Sequence, residues 1–229
     1  TLHPKFVDAE FIRVEADITF YYQPNETNKL TSEVANLIRE QVLRYNEESL
    51  DKFEAVLKFS TLSRLIDSAE PSIKSNITTL KLHCEVEPLF NRSVQYKLDI
   101  GNPIYKSGAA SESVLSSGIN VLNVQEVCFI DDVPTPGTST GVLRLFYYIQ
   151  SQKVFVRNIG TIDYERGILV FDNLIIIGLA SPAFEFVIKL HSYDVASVRN
   201  QIVTIDPRLI SIKSQQETSA NNYKFTSSR

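Results

Sequence analysis

The sequence has no tryptophan and no methionine, and only two cysteines, three histidines and eight glycines. Each scarcity excludes something. Eight scattered glycines form no phosphate-cradling loop, and no G-x-S-x-G nucleophile elbow occurs. Cys84 and Cys128 offer no zinc spacing, and the reading of both is as buried free thiols that pack as small hydrophobes. No run of basic residues reaches four, and the net charge of -4 leaves no footprint for nucleic acid. The longest apolar run, Leu174 to Ala180, is far below the roughly 20 residues that a membrane-crossing helix needs. A chain that starts at Thr1 without methionine is expected to be part of something longer. Three Asn-x-Ser/Thr triplets, at Asn25, Asn76 and Asn91, would matter only in a secreted protein.

What is present is pattern. In Phe11 to Tyr22, the apolar Ile12, Val14, Ala16, Ile18 and Phe20 alternate with Arg13, Glu15, Asp17 and Thr19, which predicts a half-buried strand. Turn formers follow from Gln23 to Asn28. A helix is predicted from Thr31 to Asn46, with Val34, Leu37, Ile38 and Val42 on one side, Thr31 as cap and Glu33 in the first turn. A second helix starts at Ser60, buries Leu62, Leu65 and Ile66, and cannot pass Pro71. The strand Thr79 to Glu87 closes the unit, with Leu80, Leu82, Cys84 and Val86 on its apolar side. Two amphipathic strands bracketing two amphipathic helices make a small two-layer unit.

Beyond Asn91 only strands are predicted, about seven of them, with turns every 8 to 12 residues. Gly108 to Gly118 reads as a loop, Pro134-Thr135-Pro136-Gly137 as a turn, and Val142 to Val156 as a hairpin. Gly167 is expected at a positive φ. Ile202 to Ile205 is the last predicted strand before Pro207. The fold class is therefore α+β: a strand–helix–helix–strand domain at 1–89, a β-rich, sandwich-like domain at 90–213, and a polar tail at 214–229.

The search for chemistry returns little. His83, Glu85 and Glu87 share one strand face, which the alternation marks as solvated rather than as a metal site. Asp131 and Asp132 read as loop acceptors before the Pro turn, too few for a calcium loop. No catalytic residue, cofactor or metal is assigned, and no enzyme is expected. Phe146, Tyr147 and Tyr148 place aromatic rings on both faces of one strand, and Leu174, Ile175 and Ile176 do the same with aliphatic chains. Such runs belong either to a strand buried on both faces or to an interface. As interface residues they would pair two copies through the region Asn91 to Ile212.

Phe11 to Glu87 resembles the C-terminal part of the baseplate J family, and within it the baseplate wedge proteins of T-even-like contractile-tailed bacteriophages. The strand Ile12 to Ile18, the helix through Val34 to Ile38, and the segment Phe59 to Asp67 carry this resemblance. Asn200 to Asp206 is similar to the family's closing segment. The resemblance implies a structural, late-expressed virion protein, assembled in the host cytoplasm. It also implies pairing of two copies in each wedge, contact with other wedge proteins, and a ring around the hub coupled to sheath contraction. It implies no catalytic residue, nucleic acid, membrane or small-molecule substrate. The alternative is a receptor- or carbohydrate-binding β module of a tail fibre or adhesin.

Overall fold

The computed structural model describes residues 10–108, 112–172, 174–197 and 201–217. Strand β1 (Glu10–Tyr22) leads through a short 3₁₀ turn to helix α1 (Thr31–Tyr45), which ends in a π turn at Asn46–Leu50. A two-residue strand β2 (Val56–Leu57), helix α2 (Phe59–Asp67) and strand β3 (Ile73–Glu85) follow. Then come β4 (Tyr96–Asp99), β5 (Val114–Ser116), β6 (Ile119–Val121), β7 (Cys128–Pro134) and β8 (Thr140–Ile149). The described chain continues with β9 (Gln152–Asp163), β10 (Ile168–Phe171), β11 (Ile176–Leu179), β12 (Glu185–Lys189), β13 (Val195–Ala196) and β14 (Gln201–Gln216).

The strand–helix–helix–strand order at the start is as the periodicity predicts. Val34, Ile38 and Val42 of α1 and Leu62 and Ile66 of α2 are fully buried, and the alternating Ile12, Val14, Ala16, Ile18 and Phe20 of β1 are buried with them, while Phe11 is exposed. The cap of α1 differs. Leu30 takes the N-cap position, and its N–H donates to the Glu33 carboxylate at 2.6 Å, half of a capping box. Thr31 is instead inside the helix, with its hydroxyl 2.7 Å from that of Tyr22.

The strands after position 90 do not form a sheet of their own. Twelve strands join one mixed sheet along the order β14-β1-β3-β12-β5-β7-β8-β9-β10-β4, with β6 and β11 on a branch from β7. Within this sheet the pairing crosses position 89 twice, β12 antiparallel beside β3 and β14 parallel beside β1, and a separate two-stranded sheet crosses it again by pairing β13 with β2. The reason is edge satisfaction. The alternating strands β1 and β3 pair with each other on one side only, and each needs a second neighbour for its remaining backbone groups.

Two further predictions are corrected. The loop expected at 108–118 contains β5, whose Val114 and Ser116 are buried. The strand expected to stop at Ile205 resumes past Pro207 and runs to Gln216. Register between β1 and β14 slips between Val14 and Ala16, opposite Ile205 and Ile210. Pro207 sits in this bulge, where it has no ladder bond to lose. Arg39 of α1 grips the bulge by donating to the carbonyls of Pro207 at 3.1 Å and Ile210 at 3.0 Å. Residues 214–216 of the expected tail belong to β14, and from 218 onward the tail lies outside the described residues.

Candidate functional site

Cross-strand register decides which side chains share a face, because directly opposed residues point the same way. At one end of the sheet, α1 lies on β14 and α2 on β3, covering one face there. The sheet's other face can be followed from strand to strand. Arg13 opposes His83 and Glu15 opposes Lys81 across β1 and β3. His83 opposes Val187, and Glu85 opposes Glu185, across β3 and β12. Val187 leads to Leu115 on β5, Leu115 to Asp131 on β7, and Asp131 to Arg144 on β8. Phe129, Phe146 and Phe155 make a row across β7, β8 and β9.

The first half of this face is ionic. His83 lies on the face that alternation suggests, but at 6 % exposed it is not solvated there. β3 is flanked on both sides, and the long side chains of its neighbours close over the ring. Its Nε2 is 2.7 Å from Glu15 Oε2, and its Nδ1 is 3.5 Å from Glu185 Oε2. Arg13 bridges Glu85 at 3.3 Å and Glu185 at 3.0 Å. Lys81 donates to the Glu15 carboxylate and lies 3.4 Å from Asp17. Burial alone would raise the Glu15 carboxyl, but the hydrogen bonds from Lys81 and His83 outweigh it and hold it below the usual Glu range. Burial opposes the charge on Lys81 in the same way, and the Glu15 carboxylate overrides it and raises the ammonium. Among the described residues no group of three His, Cys, Asp or Glu side chains is placed to hold a metal ion.

The second half is aromatic. Phe129 stacks on Phe146 at 5.7 Å, and Tyr148 stands edge-on to Phe146 at 5.4 Å. Lys153 lies over the Phe146 ring at 4.1 Å. These neighbours bury Phe146, while Tyr148, Phe155, Leu115 and Val127 stay exposed. Asp131 anchors the cations. It accepts from Arg144 Nε at 3.0 Å and Nη2 at 2.7 Å, and from Lys153 at 2.6 Å.

The six residues singled out from the sequence divide. Phe146, Leu174 and Ile176 are buried within the chain, Tyr147 and Ile175 are half-buried, and Tyr148 is exposed. The adjacent acids Asp131 and Asp132 are not in a loop. Both are fully buried in β7, on opposite faces. Asp132 accepts the N–H groups of Ser113 at 3.0 Å and Val114 at 2.8 Å, and the Tyr164 hydroxyl at 2.7 Å. Burial and the bond to Asp132 push the Tyr164 hydroxyl far above its ordinary range. Both thiols are free and buried, and burial pushes Cys84 up to about 12. Phe129, Phe155 and Lys153 are absent from the sequence-derived set. The one signal for them is that each falls two residues from a strand position already singled out or opposes one across the hairpin.

The fold and this uncovered face define a β-rich protein whose candidate site is a surface of side chains. Residues 10–85 match a family model described as baseplate structural protein gp6, C-terminal domain III. The match covers about a third of the chain, from the start of β1 to the end of β3. This similarity supports a structural protein of a phage baseplate. No curated protein matches the chain.

Proposed function

We propose that this chain is a structural component of a bacteriophage tail baseplate wedge. In this reading it contributes to the ring around the hub and links wedges to one another and to sheath contraction. The observation that carries the proposal is the family match at residues 10–85. The wedge-protein resemblance of Phe11 to Glu87 supports it. The role is assembly rather than catalysis, the partners are a second copy and other wedge proteins, and the place is the virion tail, after assembly in the host cytoplasm. Electron microscopy of the particle that carries this chain tests the reading. Density for β1, α1, α2 and β3 in a ring around the hub is expected, and absence of the chain from the baseplate overturns it.

Pairing of two copies uses the exposed aromatic part of the face, Tyr148 and Phe155, in the β-rich region, whereas Tyr147 points to the opposite face of β8 and packs against the core. Tyr148→Asp is expected to remain folded and sediment as a monomer at micromolar concentration, while the wild-type chain sediments as a dimer. Ile176→Asp places a carboxylate at a fully buried position and is expected to unfold the chain. A monomeric wild-type chain, with no paired copies in the particle, rules the pairing out.

A further inference from the structure

The two ends of the sheet path meet at a cleft. β4 ends the path on one side, and the starts of β1 and β14 lie across from it. The cleft has a volume of about 960 Å³; nearly half of its lining residues are apolar, and its polar ones are Glu10, Arg13, Glu85, Glu87, Lys97, Asp99 and Gln201. Acidic groups outnumber basic ones in this lining. Of the two cations, Arg13 is already committed to Glu85 and Glu185, and Lys97 sits 4.0 Å from Asp99.

Two observations point to a ligand here. The first is the edge of β4. The Ile100 N–H donates to the Gly167 carbonyl at 2.8 Å, which makes these opposed residues a hydrogen-bonded pair. By alternation in an antiparallel ladder, Leu98 with Leu169 and Tyr96 with Phe171 are the next such pairs. The backbone groups of Lys97 and Asp99 therefore point away from β10. Among the described residues the Asp99 carbonyl alone of these has a partner, the Gln201 side-chain amide at 2.9 Å. The second observation is Gln201 itself. It is 6 % exposed, its Nε2 serves Asp99 and Glu10, and among the described residues its Oε1 has no hydrogen-bond partner. A buried amide oxygen without a donor costs free energy that a donor from outside would recover.

We propose that the open edge of β4 takes an extended, basic segment of a partner protein as an added strand, seated in this acidic cleft. The Lys97 N–H and C=O and the Asp99 N–H hydrogen-bond to the incoming strand, as in other cases of strand addition, while the Asp99 carbonyl keeps its bond to Gln201. Lysine or arginine side chains on that strand face Glu10 and Glu87, and one of them or a backbone N–H serves Gln201 Oε1. The inference goes beyond the baseplate reading and does not depend on it.

The test uses the full chain and a fluorescent heptapeptide of alternating lysine and valine, followed by anisotropy. Two further peptides are compared: the same peptide N-methylated at every second amide, and one of alternating glutamate and valine. The parent peptide is expected to bind. N-methylation is expected to abolish binding, and the glutamate peptide is expected not to bind. Glu87→Lys is expected to weaken the parent peptide about fivefold, since the charges are solvent-facing. Lys97→Pro removes one outward N–H while leaving the β10 ladder intact, and is expected to abolish binding. Equal binding of the N-methylated peptide, or of the glutamate peptide, overturns the proposal, as does unchanged binding to folded Lys97→Pro. Where Lys97→Pro fails to fold, the two peptide comparisons on the unaltered chain decide the matter.

Discussion

A buried carboxylate costs several kcal/mol unless its lone pairs are used, and the residue scale of this protein is dominated by carboxylates that are used. Asp132 has no exposed surface and receives two backbone donors and a phenol. It thereby fixes the entry to β5 against β7 and ties both to the end of β9. Asp132→Ala leaves those donors buried and unpaired, and is expected to cost about 3–5 kcal/mol in urea unfolding. Tyr164→Phe removes one donor and is expected to cost about 1–2 kcal/mol. A loss under about 1 kcal/mol for Asp132→Ala would show that water replaces its role. Glu70 plays the same part near α2. It accepts the Ser72 N–H at 2.7 Å and the Thr27 hydroxyl at 3.1 Å, and also the Ser72 hydroxyl.

These contacts are expected to set the acid limb of stability. Burial raises the Glu70 carboxyl and the Ser72 and Thr27 bonds more than offset it, so that it titrates below the ordinary 4.5. Glu15 is lowered by Lys81 and His83 against the same opposing effect of burial, and Asp206 is lowered chiefly by Arg208. A carboxyl whose folded value lies below its unfolded value contributes stability that is complete above the unfolded value. That stability is lost as pH falls through the folded one. The urea midpoint is therefore expected to hold its contribution from these groups down to about pH 5, and to lose it progressively below about 4.5. Glu70→Gln, which cannot ionise, is expected to give a shallower decline over that interval. An equally steep decline in this variant would mean that other groups govern acid unfolding.

At the scale of elements, the legible parts are those with one dominant period and one wet face. β1 alternates over its whole length, α1 and α2 carry an apolar stripe, and the β8–β9 hairpin is marked by polar residues between two apolar runs. β5 was hidden because Val114-Leu115-Ser116 is too short for a period and lies among small polar residues. The buried acids of β7 look like loop residues because a sequence shows charge and not the donors that compensate it. The far half of β14 was hidden by Pro207, which ends most strands but is harmless in a bulge. The hairpin turn shows the same limit at finer grain. Gln150 and Ser151 both have positive φ, at 46° and 66°, which is the geometry of a type I′ turn without its favoured residues. Replacing the pair by Asn and Gly is expected to raise stability by about 0.5–1 kcal/mol, read as a higher midpoint of thermal unfolding. A lower midpoint would show that these side chains make contributions the backbone geometry does not account for.

At the scale of the molecule, what no local pattern encodes is which distant strand completes which edge. The parallel pairing of β14 with β1 joins residues at opposite ends of the sequence, and β12 reaches back to β3. Asn46, at the end of α1, adds a side-chain clasp by accepting the Ile205 N–H at 2.6 Å and donating to Thr204 at 3.1 Å. The segment from Pro88 to Asn91 connects the helix-bearing part to the strands beyond, and it carries exposed Leu89 and Phe90 and a positive φ at Asn91. A protease that accepts large apolar residues should cut there first, because exposed connections are nicked before strands of a sheet. The division at 89 then makes a specific prediction. Cleavage is expected to give two fragments in denaturing gels that still elute together under native conditions, because β14 and β12 remain hydrogen-bonded to β1 and β3. In urea the nicked protein is expected to fall apart at a lower midpoint than the intact chain, and the midpoint should rise with protein concentration, since unfolding now separates two molecules. Fragments that separate without denaturant, each retaining its own secondary structure by circular dichroism, would show instead that the two parts are independent units joined by a linker.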